Sequence, residues 1–261
     1  MKSRLREKLE KGCPVIGSFV KITDPAVVEI MGRAGFDFAI IDMEHGPITV
    51  ETAQNSVRAA ELAGISPIIR VSRNDPVDIL RCLDIGAEGV EVPQIRNAMD
   101  AETMASAARF HPRGDRGVCR YVRAAAYSSM DRHEYFQMAN DRTLTIAHLE
   151  GIEAVKNLDE IMTVDGVDIL FIGPYDLSQS VGVPGEVNHP LVLKQMEEVI
   201  TTAKAKGKLV GTFADNIQSA KRWMDAGVMY IAISVDVGIF YEACRNIVTS
   251  LSSILSKNTF S

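Results

Sequence analysis

Eight short apolar runs rich in valine and isoleucine punctuate the chain, at residues 14–20, 36–42, 66–71, 89–95, 143–150, 167–173, 208–214 and 229–234. Most do not alternate strictly, as a strand with one wet face does, and none is long enough for a core helix. They therefore read as buried parallel strands. The segments between them carry helical periodicity, with start and stop signals. Asp24-Pro25 and Asp75-Pro76 each place a capping acid before a proline at the first helical position. Gly35, Gly86, Gly166 and Gly227 fall where helices should end, just before or within the start of a strand. Eight strands alternating with helices, without linker-like composition, predict an α/β fold, a single (β/α)8 TIM barrel over residues 1–261. A doubly wound open sheet is the alternative, but no G-x-G-x-x-G or Walker loop follows the first strand. One joint, 96–142, is much longer than the rest and holds a helix followed by FHPRGDRGVCRYVRAAAYSS. An insertion of this kind beside a barrel mouth usually serves the active site or a subunit contact.

Composition removes several classes of function. Hydrophobic content of 46% and charged content of 24% are those of an ordinary globular protein. The longest apolar runs fall well short of the ~20 residues of a membrane helix, so no membrane partner is expected. The N-terminus, MKSRLREKLEKG, reads as a short amphipathic helix with no secretory segment behind it, which points to the cytoplasm. Without a secretion signal, Arg113-Gly114-Asp115 carries no adhesion reading. The four cysteines lie far apart without a C-x-x-C, so neither a zinc knuckle nor a disulfide framework is indicated. The net charge of −6, with no basic run, argues against a nucleic-acid partner.

In such a barrel the loops after the strands share one face, and that face carries the chemistry. The stretch AIIDMEHG (39–46) runs from a buried strand into Asp42, Glu44 and His45. Strand three brings Arg70, strand four Gln94, and strand five His148 and Glu150. FIGPYDLS after strand six brings Asp176, and strand eight leads to Asp236. Glu150 and Asp176 stand on adjacent strands at matching depth. Two carboxylates there can hold a divalent cation, oxygen ligands favouring Mg2+ or Mn2+ over zinc and leaving positions for water and substrate. Each acid alone can equally form a salt bridge or cap the next helix. Arg70 can stabilise a developing enolate oxygen without losing its proton, or be a structural partner for Glu44 or Glu150. His45 can transfer protons near neutral pH, with Asp42 and Glu44 as orienting carboxylates. Lys21, just past strand one, lacks the hydrophobic or cationic surround of a Schiff-base lysine.

The segments DFAIIDMEHGP, PIIRVSRNDP, FHPRGDRGV, LEGIEAVKN and VDILFIGPYDLS, with His189-Pro190, run in order from about residue 12 to 240. Together they closely resemble the HpcH/HpaI aldolase family. Its members are metal-dependent pyruvate aldolases, including enzymes for 4-hydroxy-2-oxoheptanedioate and 2-dehydro-3-deoxyglucarate. The resemblance implies a (β/α)8 barrel whose final helix is exchanged between paired subunits, typically in a homo-hexamer, a trimer of dimers. It implies that His45 is the general base acting through a water, with Asp84 raising its basicity from across a subunit contact. It implies that Arg70 stabilises the enolate and that Glu150 and Asp176 bind a divalent cation (Mg2+, Mn2+ or Co2+). The backbone at Tyr175 and Asp176 would then hold the substrate carboxylate. Asp84 carries no signal of its own, since in DILRCLDIGAEG it reads as a solvated acid near a helix end.

Three positions depart from the family pattern. His148 stands where several members carry a glutamine that touches the substrate. Tyr175 fills a site that is often small, and Glu91 puts an acid in an otherwise apolar strand. The expected activity is a class II aldolase cleaving a 4-hydroxy-2-oxo acid reversibly into pyruvate and an aldehyde. Alternatives are a carbon–carbon lyase acting on a CoA ester, an oxaloacetate-type decarboxylase, and a catalytically silent binding barrel.

Overall fold

The computed structural model describes residues 4–258. Eight parallel strands close into a barrel in chain order. They are β1 (Val15–Val20), β2 (Phe38–Asp42), β3 (Ser66–Arg70), β4 (Gly89–Val92), β5 (Leu144–Leu149), β6 (Ile169–Ile172), β7 (Leu209–Ala214) and β8 (Tyr230–Val235). Each lies within the apolar run that predicts it, save that β8 extends one residue further. Helices α1 (Arg4–Glu10), α2 (Ala26–Ala34), α3 (Val50–Ala63), α4 (Pro76–Asp84), α5 (Ala98–Ala108) and α6 (Arg132–Arg142) belong to the first half. The second half adds α7 (Ile152–Lys156), α8 (Leu158–Thr163), α9 (Pro174–Ser180), α10 (Pro190–Ala205), α11 (Ile217–Ala226) and α12 (Asp236–Asn258). Among the described residues no helix is long and apolar enough to cross a membrane.

Alternation along the strands divides the core in two. Ile40, Ile68, Ile146 and Ile169 point into the barrel, where Phe38, Phe171 and Tyr230 fill the axis. Ile41, Ile69, Val90, Ala147 and Leu170 face outward beneath the helices. Phe38 and Tyr230 stack with centroids 4.0 Å apart. Gly17 makes room for this: a Cβ there would lie 2.2 Å from the Phe38 ring. Leu5 and Leu9, four residues apart on α1, are buried in the same inner cluster and close the strand-start end of the barrel.

Asp75 caps α4 as predicted, accepting from Val77 N and Asp78 N with Pro76 at the first helical position. The other cap is displaced. Pro25 takes the cap position of α2, and Asp24 accepts from Ala26 N at 2.9 Å. A tight first turn, with Val28 N donating to Pro25 O at 3.0 Å, produces the one-residue offset.

The long joint runs away from the mouth. Helix α5 carries the chain back to the strand-start end, so the residues after it, including a 3-10 turn at Arg123–Ser128 and α6, gather there. With Ser66, Pro67, Glu88 and Thr143 at the starts of β3, β4 and β5, they border a cavity of about 660 Å3. Expecting this insertion beside the mouth is therefore wrong for a single chain. Phe110, Tyr135 and Phe136 give it a small aromatic core of its own. Arg113 and Asp115 are tied to Asp141 and Ser106 respectively.

Helix α12 differs from every other helix. All its residues from Ile239 to Ser252 are exposed, among them Phe240, Tyr241, Ile247, Val248 and Leu251. Phe240, Tyr241, Ile247, Val248 and Leu251 therefore lie largely uncovered by the described residues of their own barrel.

Candidate active site

At the strand ends, charged groups replace the apolar layers. Asp42 closes β2 with no exposure and stands in register with Arg70 at the end of β3. The guanidinium donates twice, Nε to Oδ1 at 3.0 Å and Nη2 to Oδ2 at 2.8 Å. Asp42 Oδ1 also accepts the backbone N–H groups of Glu44 and His45, both at 3.1 Å. Burial works against the Asp42 carboxylate, but hydrogen bonds and charge from Arg70 outweigh it and hold its pKa below the ordinary value. This places Asp42 differently from the sequence reading. Its carboxylate clamps Arg70 and turns the chain after β2, and its contact with His45 is to the backbone.

Arg70 is buried and lies 4.6 Å over the Phe19 ring, with Nη1 3.2 Å from Glu44 Oε2. Asp42 offsets the penalty of burial and raises its pKa further, so the guanidinium is a fixed positive charge. Glu44 differs. Burial pushes its pKa up to about 7; Arg70 opposes the rise, and Glu150 and Asp42 add to it. Oε2 of Glu44 is 3.8 Å from His45 Nε2, and the His45 ring is exposed at the rim.

The opposite wall comes from β4, β5 and β6. Gln94 has φ 59, uncommon for a residue with a Cβ. This conformation lets both its backbone N and its Nε2 donate to Glu150 Oε2, at 2.9 and 2.6 Å. His148 is buried, with Nδ1 3.1 Å from Glu91 Oε1 and Nε2 3.6 Å from Glu150 Oε1. Desolvation disfavours its imidazolium, yet Glu150 and Glu91 prevail and hold the pKa above its ordinary value. Gly173 lets the chain pass close by: a Cβ there would lie 2.6 Å from His148 Nε2 and 3.1 Å from Glu150 Cγ. Tyr175 and Asp176 follow in the first turn of α9, and Tyr175 Oη donates to Asp215 Oδ1 at 2.6 Å.

His45, Arg70, His148, Tyr175 and Asp176 border one cavity of about 570 Å3. Glu150 stands beside it, against Gly173. The chain thus brings together residues spread over about half its length. Asp84 is not among them. It ends α4, where Arg116 Nη2 donates to it at 2.7 Å, and burial outweighs Arg116 in raising its pKa. One chain does not bring Asp84 to His45. Asp236 is also spent elsewhere, accepting from the backbone of Lys21, Ile22 and Val237. Lys21, Phe213 and Asp215 border the cavity as well. Lys21, set aside in the sequence, has its ammonium 3.6 Å from Asp42 Oδ2. Asp215 follows a strand as the others do, but no motif singles it out.

Glu150 and Asp176 suit a hard divalent cation. The partners of Glu150 are an amide and an imidazole, so its buried carboxylate is not neutralised by lysine or arginine. Among the described residues no cluster of three or more His, Cys, Asp and Glu side chains forms a closed metal cage. Two carboxylates beside an open cavity leave coordination positions for water and a chelating ligand.

The HpcH/HpaI aldolase/citrate lyase family matches residues 15–243. A 4-hydroxy-2-oxo-heptane-1,7-dioate aldolase of Escherichia coli is 36% identical over 246 residues, covering 94% of this chain and 93% of its own. The crystal structure of an HpcH/HpaI aldolase/citrate lyase family protein from Burkholderia cenocepacia superposes with a TM-score of 0.92 at 32% identity, covering 96% of this chain and all of that one. The citrate synthase SbnG superposes with a TM-score of 0.86 at 31% identity, covering 97% and 98%.

Proposed function

The chain belongs to the HpcH/HpaI aldolase/citrate lyase family and is a carbon–carbon lyase; on that premise we propose that it cleaves a 4-hydroxy-2-oxo acid reversibly into pyruvate and an aldehyde. The observation that carries this reading is the buried Asp42–Arg70 pair at the floor of a cavity that His45 overlooks.

In the cleavage direction, His45 takes the C4 hydroxyl proton through a water. As the C4–O bond becomes a carbonyl, the C3–C4 bond breaks and its electron pair passes into the three-carbon fragment, forming the pyruvate enolate. Arg70, held by Asp42, stands ready with a fixed positive charge for the enolate oxygen. The site is pre-organised because the guanidinium is already bonded and cannot swing away. The aldehyde leaves with C4, and a proton delivered to C3 completes pyruvate. Glu150 and Asp176 would hold the divalent cation, which supplies Lewis-acid polarisation of the 2-oxo group when bound. The backbone at Tyr175 and Asp176 would receive the substrate carboxylate at the start of α9. His148 would take the place of an amide donor to the substrate rather than act as a metal ligand.

The exposed apolar face of α12 supports exchange of this helix between paired subunits. In a hexamer Asp84 of a neighbouring subunit would approach His45, which its own chain does not provide. The expected compartment is the cytoplasm. The test is incubation of pyruvate with a panel of aldehydes, and of the resulting hydroxy-oxo acids with the enzyme, in the presence of Mg2+, Mn2+ or Co2+. Formation and cleavage of one hydroxy-oxo acid is the expected result. Turnover confined to oxaloacetate or an acyl-CoA would move the chain to the decarboxylase or CoA-ester reading, which draws support from its likeness to a citrate synthase.

A further inference from the structure

Glu91 on β4 has no exposure, and its strand is otherwise apolar. A buried carboxylate is costly unless another polar or charged group meets it. Register supplies that group. Glu91 pairs with Ile146 on β5, and two residues further along the same inward face stands His148. His148 Nδ1 is 3.1 Å from Glu91 Oε1, although the N–H does not meet that oxygen along an ideal hydrogen-bond line. The edge of the imidazole is fixed by Phe171, whose ring lies 4.7 Å away at 80°. Gly173, lacking a Cβ, leaves room beside the other nitrogen, Nε2, which faces Glu150 Oε1 at 3.6 Å. The imidazole therefore has a buried carboxylate at ion-pair distance from one nitrogen, is braced on its edge, and borders the cavity.

We propose that Glu91 is a positioning residue that acts through His148, holding Nδ1 so that Nε2 is presented to the oxygens of the bound 2-oxo acid beside Glu150. This inference rests on the aldolase reading. It makes Glu91 and His148 one unit. An imidazole in place of an amide at this position brings with it a buried acid to aim it, because a histidine ring has two chemically distinct nitrogens and the wrong one can be presented. Glu91 touches no substrate in this scheme, and its value depends on the ring it holds.

The test is a double-mutant cycle in the full-length, metal-loaded enzyme, with Glu91→Gln, His148→Gln and the pair. Glu91→Gln should raise KM for the 2-oxo acid ~10-fold while changing kcat less than ~3-fold, as fits loss of one charge-assisted contact. In the His148→Gln background the same change should move KM less than ~2-fold. Imidazole nitrogen and proton resonances provide a readout that does not need turnover. The His148 Nδ1 proton, identified by its loss in His148→Gln, should shift or vanish in Glu91→Gln. If Glu91→Gln does not fold, Glu91→Asp, which keeps the charge on a shorter arm, should show the same KM penalty. An equal KM penalty in both backgrounds, or unchanged His148 resonances in Glu91→Gln, overturns the proposal. A wild-type enzyme that cleaves no hydroxy-oxo acid overturns the aldolase reading instead, and the resonances then decide the pairing alone.

Discussion

The floor and the rim of the mouth are built by different means. On the floor, Asp42, Arg70, Glu91, His148 and Glu150 stand at or beside strand ends, buried and mutually engaged. On the rim, His45, Tyr175 and Asp176 occupy loops or a helix start and are exposed. The floor can hold fixed charge where an enolate would form, because parallel strands in register determine which side chains meet. Asp42 faces Arg70 for that reason. The rim has no such scaffold, and its proton-transfer candidate, His45, has Glu44 at 3.8 Å beside its ring. In the proposed reaction the fixed charge of Arg70 is supplied within one chain, whereas proton transfer would draw on a water and, on the family resemblance, an acid from another subunit.

Breaking the floor should have the largest effect. Arg70→Ala should lower kcat by ~10²–10³. It should also destabilise the fold by ~3–5 kcal/mol, since it strands the buried Asp42 carboxylate. Steady-state kinetics and denaturant melts measure the two losses. Near-normal turnover in Arg70→Ala would remove Arg70 from the chemistry. Asp42→Asn keeps the shape of the clamp and weakens its charge, at a cost of about 1.5–2.7 kcal/mol or ~10–100-fold in kcat/KM. A kinetic effect of Asp42→Asn as large as that of Arg70→Ala would mean that Asp42 does more than position.

Glu44 sits between the two regions and sharpens the contrast through pH. Its folded pKa of about 7 lies above the ordinary 4.5, so the folded protein holds a proton that the unfolded chain releases across that interval. Its stabilising contribution is full below pH 4.5 and is lost as pH rises towards 7. In chelator-treated protein, thermal melts should show wild type losing stability relative to Glu44→Gln across this window. Parallel pH curves would place the Glu44 carboxyl in ordinary solvent. At the rim, Tyr175→Phe removes only the hydroxyl bond to Asp215 and should change KM or stability by ~0.5–1.5 kcal/mol. A larger loss would give the Tyr175 hydroxyl a direct part in binding.

Much of this is legible in the chain because a parallel barrel turns sequence order into spatial order. The eight apolar runs mark the strands, since strands covered on both faces need continuous hydrophobicity. Residues at or just beyond their ends then converge, which brings His45, Arg70, His148, Tyr175 and Asp176 to one cavity. Pairings are not legible in this way. Asp42 is 28 residues from Arg70, and only register makes the carboxylate its clamp. Glu91 reads as an anomaly until His148 is seen above it. The long joint misleads because its position in the chain, after β4, does not reveal that α5 carries it to the opposite end. Asp84 lies outside the reach of any single-chain reading, since its own chain gives it Arg116 and no part of the mouth.

The most direct measurement is pyruvate release from a 4-hydroxy-2-oxo acid by protein stripped with EDTA, before and after metal is returned. On the proposal that Glu150 and Asp176 hold the cation, activity should vanish on chelation and return with Mg2+, Mn2+ or Co2+. Full turnover in EDTA, together with inactivation by borohydride in the presence of pyruvate, would contradict the account. It would place a Schiff base on a lysine, with Lys21 at the edge of the cavity as the first to examine.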